Sequence, residues 1–128
     1  MVKATYVFLA QGDAFSPTAA ARATGVAFTR SNEPGDLGTK GNYLGQPRPY
    51  GSAELEGPAE ADLEVPHAAT FAAVECLAPA CVAAGADSLR LHIDVAYVDQ
   101  CNLELGPAFV EALARLGIAI TLTCFEAD

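Results

Sequence analysis

Apolar and polar positions change period several times along this chain, and each change marks an element. Val2–Gln11 is apolar, with Tyr6, Val7, Phe8 and Leu9 in succession. Apolar residues on both parities at its centre predict an interior strand. The chain then turns at Gly12-Asp13. Ser16 suits an N-cap, Pro17 the first helical position and Gly25 a left-handed C-cap, so a two-turn helix is predicted over Pro17–Thr24. Val26–Ser31 predicts a short strand. Tyr50–Gly57 predicts another with one side in solvent, because Ala53 and Leu55 alternate with Ser52, Glu54 and Glu56.

Pro66–Leu77 predicts a helix with Phe71, Val74 and Leu77 on one face. Pro79 is expected to interrupt it, leaving a second short helix over about Pro79–Ala84 that ends at Gly85. Ser88–Val98 is the clearest strand. Leu89, Leu91, Ile93, Val95 and Tyr97 fall on one side, and Arg90, His92, Asp94, Ala96 and Val98 on the other. Gly106-Pro107 opens a last helix with Phe109, Leu113 and Leu116 on one stripe and a Glu111–Arg115 pair on its surface. Gly117 closes it before a final strand, Ile118–Phe125. Strand, helix and strand from Ser88 to Phe125 call for parallel pairing with a right-handed crossover.

The resulting order is βαββαβαβ. Its first six elements follow the split βαβ plan of ferredoxin-like domains. The expected class is α+β: a two-layer sandwich with a mixed sheet of about five strands and helices on one face. That is a ferredoxin-like βαββαβ start plus a C-terminal αβ extension. A length of 128 residues fits one domain, 1–128. Its least regular passage is Asn32–Pro49, punctuated by Pro34, Gly35, Gly38, Gly41, Gly45 and Pro47. Such a loop is either a mobile surface segment or a binding loop displaying Tyr43, Arg48 and Tyr50.

Charge narrows the partners. Sixteen acids against seven bases give a net −9. Nucleic acid and anionic membrane surfaces are disfavoured, and a basic protein is admitted. The acidic run Glu54, Glu56, Glu60, Asp62 and Glu64 precedes a helix, where it complements the helix dipole. No run approaches a membrane span or a signal core, which sets the expectation of a cytoplasmic protein. Cys76, Cys81, Cys101 and Cys124 are expected to be free, and three of them lie in or beside apolar segments, where free cysteine is commonly buried. The Cys76–Cys81 spacing is not that of a zinc knuckle.

Chemistry concentrates on one strand face. Arg90, His92 and Asp94 share it, and an imidazole two residues from a carboxylate can be held by it. An ordinary exposed sheet face has the same composition. No nucleophile is tied to them, and Gly35–Gly41 lacks the Gly-Lys-Ser/Thr order of a phosphate loop. His67 is expected at the surface near a helix start. No catalytic residue, metal site or cofactor is implied. The open sheet face is left for solvent, for a protein partner, or for a second copy in a homodimer that would partly bury Val98 and Phe125.

Tyr6–Gly12-Asp13-x-Phe15-Ser16-Pro17, the helix end at Thr24-Gly25-Val26, and the Pro34-Gly35-Asp36 turn come in a suggestive order. With the C-terminal strand, the helix ending at Leu116-Gly117 and the last strand, the chain resembles the bacterial domain-of-unknown-function family number 4279 over nearly its whole length. Where that family has a tryptophan at the start of its third strand, this chain has about Tyr50-Gly51-Ser52-Ala53. The resemblance implies a fold and a bacterial origin and carries over no catalytic residue. The function expected first is a non-enzymatic protein-binding module, most sharply an immunity- or antitoxin-like inhibitor of a basic toxin. The alternative is a small-molecule-binding protein or enzyme using the 32–49 loop and the sheet face around His92 and Asp94.

Overall fold

Val2–Gly12 (β1) is the central strand of a five-stranded sheet in the computed structural model, which describes residues 2–57 and 68–127. The others are Arg30–Asn32 (β2), Gly51–Glu56 (β3), Ser88–Tyr97 (β4) and Ile118–Glu126 (β5), in the order β2-β3-β1-β4-β5. β1 runs antiparallel to β3 and β4, β2 antiparallel to β3, and β5 parallel to β4. The first four strands thus take the split βαβ order, and β5 widens the sheet beyond β4.

Alternation decides which face is buried. Ala4, Tyr6, Phe8 and Ala10 of β1 pair with Val95, Ile93, Leu91 and Leu89 of β4, and all eight are buried. The helices Pro17–Thr24 (α1), Ala68–Ala83 (α2) and Pro107–Leu116 (α3) cover this side. They contribute Ala20, Val74, Leu77, Cys81, Phe109 and Leu113 to the same core. Phe71 and Phe109 meet edge to face at 5.3 Å and tie α2 to α3. Among the described residues no helix lies over the opposite parity of the strands. The result is the expected α+β sandwich with helices on one face.

α1 has the predicted boundaries. The Ser16 hydroxyl accepts from the Ala19 amide at 3.2 Å and donates to Glu33 at 2.6 Å. Gly25 closes the helix at φ 74° with its amide on the Ala21 carbonyl. Ser16→Ala removes a helix cap and is expected to cost about 1 kcal/mol in a urea melt. A loss below a few tenths would show that water caps the helix equally well.

Three expectations are corrected. Pro79 does not interrupt the middle helix: α2 is continuous from Ala68 to Ala83 with Pro79 inside it and exposed. The strand expected over Val26–Ser31 forms only at Arg30–Asn32, since Val26 and Phe28 pack against the core without pairing. Arg115 reaches across to Glu75 of α2 at 3.9 Å rather than to Glu111. The readings placed on Glu60, Asp62, Glu64, Pro66 and His67 lie outside the described residues.

The 32–49 loop is bonded to itself. Gly35 and Arg48 exchange backbone hydrogen bonds with each other's side of the loop: Gly35 N–H to the Arg48 carbonyl, and Arg48 N–H to the Asp36 carbonyl, both at 2.8 Å. Asn32, 6 % exposed, clamps the base. Its Nδ2 donates to the Tyr50 carbonyl at 2.8 Å, while its Oδ1 accepts from Arg48 at 3.0 Å and from the Ser52 hydroxyl.

Candidate functional site

Two surfaces stand out, and strand order creates both. The first is the uncovered sheet face. Leu9 of β1 lies in register with Glu54 of β3 on one side and Arg90 of β4 on the other. One step along, Gln11 lies between Ser52 and Ser88. Cross-strand partners point to the same face, so these six form two adjacent rows. Tyr50, just before β3, walls the end. Together they line a half-open cleft of about 300 Å³.

The residues singled out from sequence divide between this cleft and its surroundings. Arg90 and Tyr50 line it. Tyr43 supports Tyr50 edge to face at 6.0 Å. Arg48 is spent on Asn32 at the loop base. His92 and Asp94 lie further along β4: His92 Nε2 is 3.0 Å from Asp94 Oδ1 and 3.5 Å from the Thr123 hydroxyl of β5. The imidazole and carboxylate do meet, outside the cleft lining. Leu9, Gln11, Ser52, Glu54 and Ser88 also line the cleft. Their outward parity is readable from sequence, but their convergence needs the order β3-β1-β4.

The cleft's polar groups are unequally engaged. Glu54 Oε2 accepts from Arg30 Nε at 2.9 Å, and the Ser52 hydroxyl donates to Asn32. Among the described residues, Gln11, Ser88 and Arg90 have no side-chain hydrogen bond or ion pair.

The second surface is the outer edge of β5, which pairs with no further strand among the described residues. Nine residues, Ile-Ala-Ile-Thr-Leu-Thr-Cys-Phe-Glu, form an outer strand with only Glu126 charged. Leu122 is 47 % and Phe125 51 % exposed, on opposite faces. Phe125 and Val98, expected to be partly buried in a homodimer, are exposed in this single chain.

Comparison with known proteins gives no match among family models, curated proteins or solved structures.

The thiols depart from expectation. Only Cys81 is buried, and desolvation pushes it up to about 11. Cys76 and Cys124 are exposed and Cys101 is half-buried. Desolvation raises Cys101 first, and the neighbouring Cys124 thiol, hydrogen-bonded to it, adds to the shift. Apolar neighbours in sequence do not ensure burial: Cys124 lies on the edge strand β5, and Cys76 on the exposed side of α2. No group of three or more metal-ligating side chains gathers among the described residues, and no helix there is long and apolar enough to cross a membrane.

Proposed function

We propose that this chain is a non-enzymatic, cytoplasmic protein-binding module that takes an extended segment of a cationic protein along β5. The observation that carries the reading is the contrast between the two sheet edges. An outer strand presents unpaired backbone groups, and proteins blunt such edges with short strands, charges or proline. β2 has that protection: it is three residues long, and its Arg30 bridges Glu54 and Glu56 at 2.9 and 2.5 Å. β5 is long, rich in β-formers and free of Lys and Pro. An edge of this kind suits strand addition, in which main-chain hydrogen bonds give affinity and flanking side chains give choice.

Charge favours a basic occupant. Residues 91–128 hold six acids, Asp94, Asp99, Glu104, Glu111, Glu126 and Asp128, against the single base Arg115. Such a field speeds encounter with a cation and discourages a second acidic copy. The narrowest form of the proposal is an immunity-type inhibitor that neutralises a basic toxin. The motif order around Gly12-Asp13 supports placing the chain beside family number 4279, whose name assigns no activity.

Leu122→Lys tests the reading, because Leu122 is half in solvent and its replacement puts a positive charge on the edge. Wild type and variant are compared as baits against proteins of the source cell at low and raised salt. Wild type is expected to hold one cationic protein, releasing it as salt rises, with β5 amides slowed in hydrogen exchange. Leu122→Lys is expected to weaken capture by about tenfold or more. Capture indifferent to the substitution, or recovery of the chain only with itself, would overturn the proposal.

A further inference from the structure

The cleft on the uncovered face is separate from the β5 edge, and its lining has a chemistry of its own. Glu54 and Arg90 flank Leu9, with their Cα atoms roughly 10 Å apart, two interstrand spacings. They carry opposite charges, yet no ion pair joins them. Glu54 uses Oε2 for Arg30, and its Oε1 has no partner among the described residues. Arg90 likewise has none among the described residues, and Gln11 and Ser88 add donors on its side that are unengaged there. Between the charges lies an apolar floor, Leu9, and at the end an aromatic wall, Tyr50.

We propose that this cleft binds a small zwitterion of the α-amino acid class, its carboxylate on Arg90 and its ammonium on Glu54. A simple anion would meet Glu54, and a simple cation would meet Arg90. Only a molecule with both charges satisfies the two rows together. A guanidinium and the amide and hydroxyl donors of Gln11 and Ser88 suit a carboxylate. A free carboxylate oxygen suits an ammonium. A volume of about 300 Å³ sits at the small end of ligand sites, which favours a metabolite of few atoms. Leu9 and Tyr50 favour an apolar side chain.

Leucine is therefore the probe, with N-acetylleucine (no ammonium) and leucinamide (no carboxylate) as its blocked forms. Titration is followed by backbone amide NMR shifts. Leucine is expected to saturate at millimolar concentration, shifting the amides of Leu9, Gln11, Ser88 and Arg90. Each blocked form is expected to bind about tenfold more weakly, the worth of one charge-assisted hydrogen bond. Arg90→Gln should weaken leucine by the same factor and abolish the preference for leucine over leucinamide. Glu54→Gln should abolish the preference over N-acetylleucine. Arg90 is exposed and makes no side-chain hydrogen bond or ion pair among the described residues, so its variant is expected to fold, and an unchanged spectrum of the free protein checks this. Equal binding of leucine and leucinamide by wild type would overturn the assignment. So would shifts confined to other strands, or no saturation by about 50 mM.

Discussion

Gly51→Ala is expected to cost about 3 kcal/mol or more. A Cβ at Gly51 would sit 1.9 Å from the Phe15 carbonyl oxygen and 2.9 Å from its carbon. Both are backbone atoms and cannot rotate away. Nor can the turn that carries them shift freely. Phe15 N–H bonds the Gly12 carbonyl at 3.2 Å, Ser16 N–H bonds the Ala84 carbonyl at 3.0 Å, and the Phe15 ring is fully buried. On the far side of the turn, Gly85 lies against Ala14, where a Cβ would meet its carbonyl oxygen at 2.4 Å. The turn Gly12–Ser16 is therefore held between β3 and the end of α2 by close backbone approach. Gly45→Ala is the control. Gly45 has φ 71° and nothing within 4 Å, so only the left-handed backbone penalises a side chain, by about 1–2 kcal/mol. Urea melts of both variants with a common slope give the comparison. A smaller loss at Gly51 than at Gly45 would mean that the turn moves aside.

That same turn shows how unevenly sequence exposes structure. Ser16, Pro17 and Gly25 announce α1 to the residue, because caps act through local backbone geometry. β1 and β4 are equally plain: apolar residues on both parities mark β1 as an interior strand of the sheet, and strict alternation marks the buried side of β4. His92 and Asp94 meet because two residues along a strand share a face. What stays hidden is anything that needs strand order. Leu9 is 45 positions from Glu54 and 81 from Arg90 in the chain, yet is in register with both. The outer edge of β5 becomes visible only when the last strand is known to lie outside β4. Val26 and Phe28 mislead for another reason, since apolar alternation reports burial and not pairing. The cysteines mislead likewise: Cys124 follows an apolar run, but its strand is an edge.

The continuous α2 is the clearest conflict between a local rule and the fold, and it yields the second large effect. Pro79→Ala is expected to stabilise the protein by about 2 kcal/mol. Proline inside a helix costs about 3 kcal/mol relative to alanine, because it has no N–H for the carbonyl four residues back and its ring crowds that carbonyl. Here that carbonyl belongs to Glu75. Alanine restores the bond, and the gain is reduced by up to about 1 kcal/mol because the unfolded chain becomes more flexible. Pro79 is exposed, so its removal opens no cavity. The helix continues through it because packing outweighs propensity. Val74, Leu77, Ala78 and Cys81 are each at most 1 % exposed and straddle the proline, and a break there would rotate Cys81 out of the core. Burying one leucine is worth about 1.5–3 kcal/mol, so Leu77 with its neighbours offsets the defect. The surrounding sequence gives no sign of this, because alanines at Ala72, Ala73, Ala78, Ala80 and Ala83 leave the helix apolar on nearly every side. Each kcal/mol moves the thermal midpoint of a chain this long by about 4 °C, so the variant should melt about 8 °C higher. A midpoint unchanged or lowered would show that Pro79 shapes α2 to the sheet and that the local rule is not in conflict with the fold here.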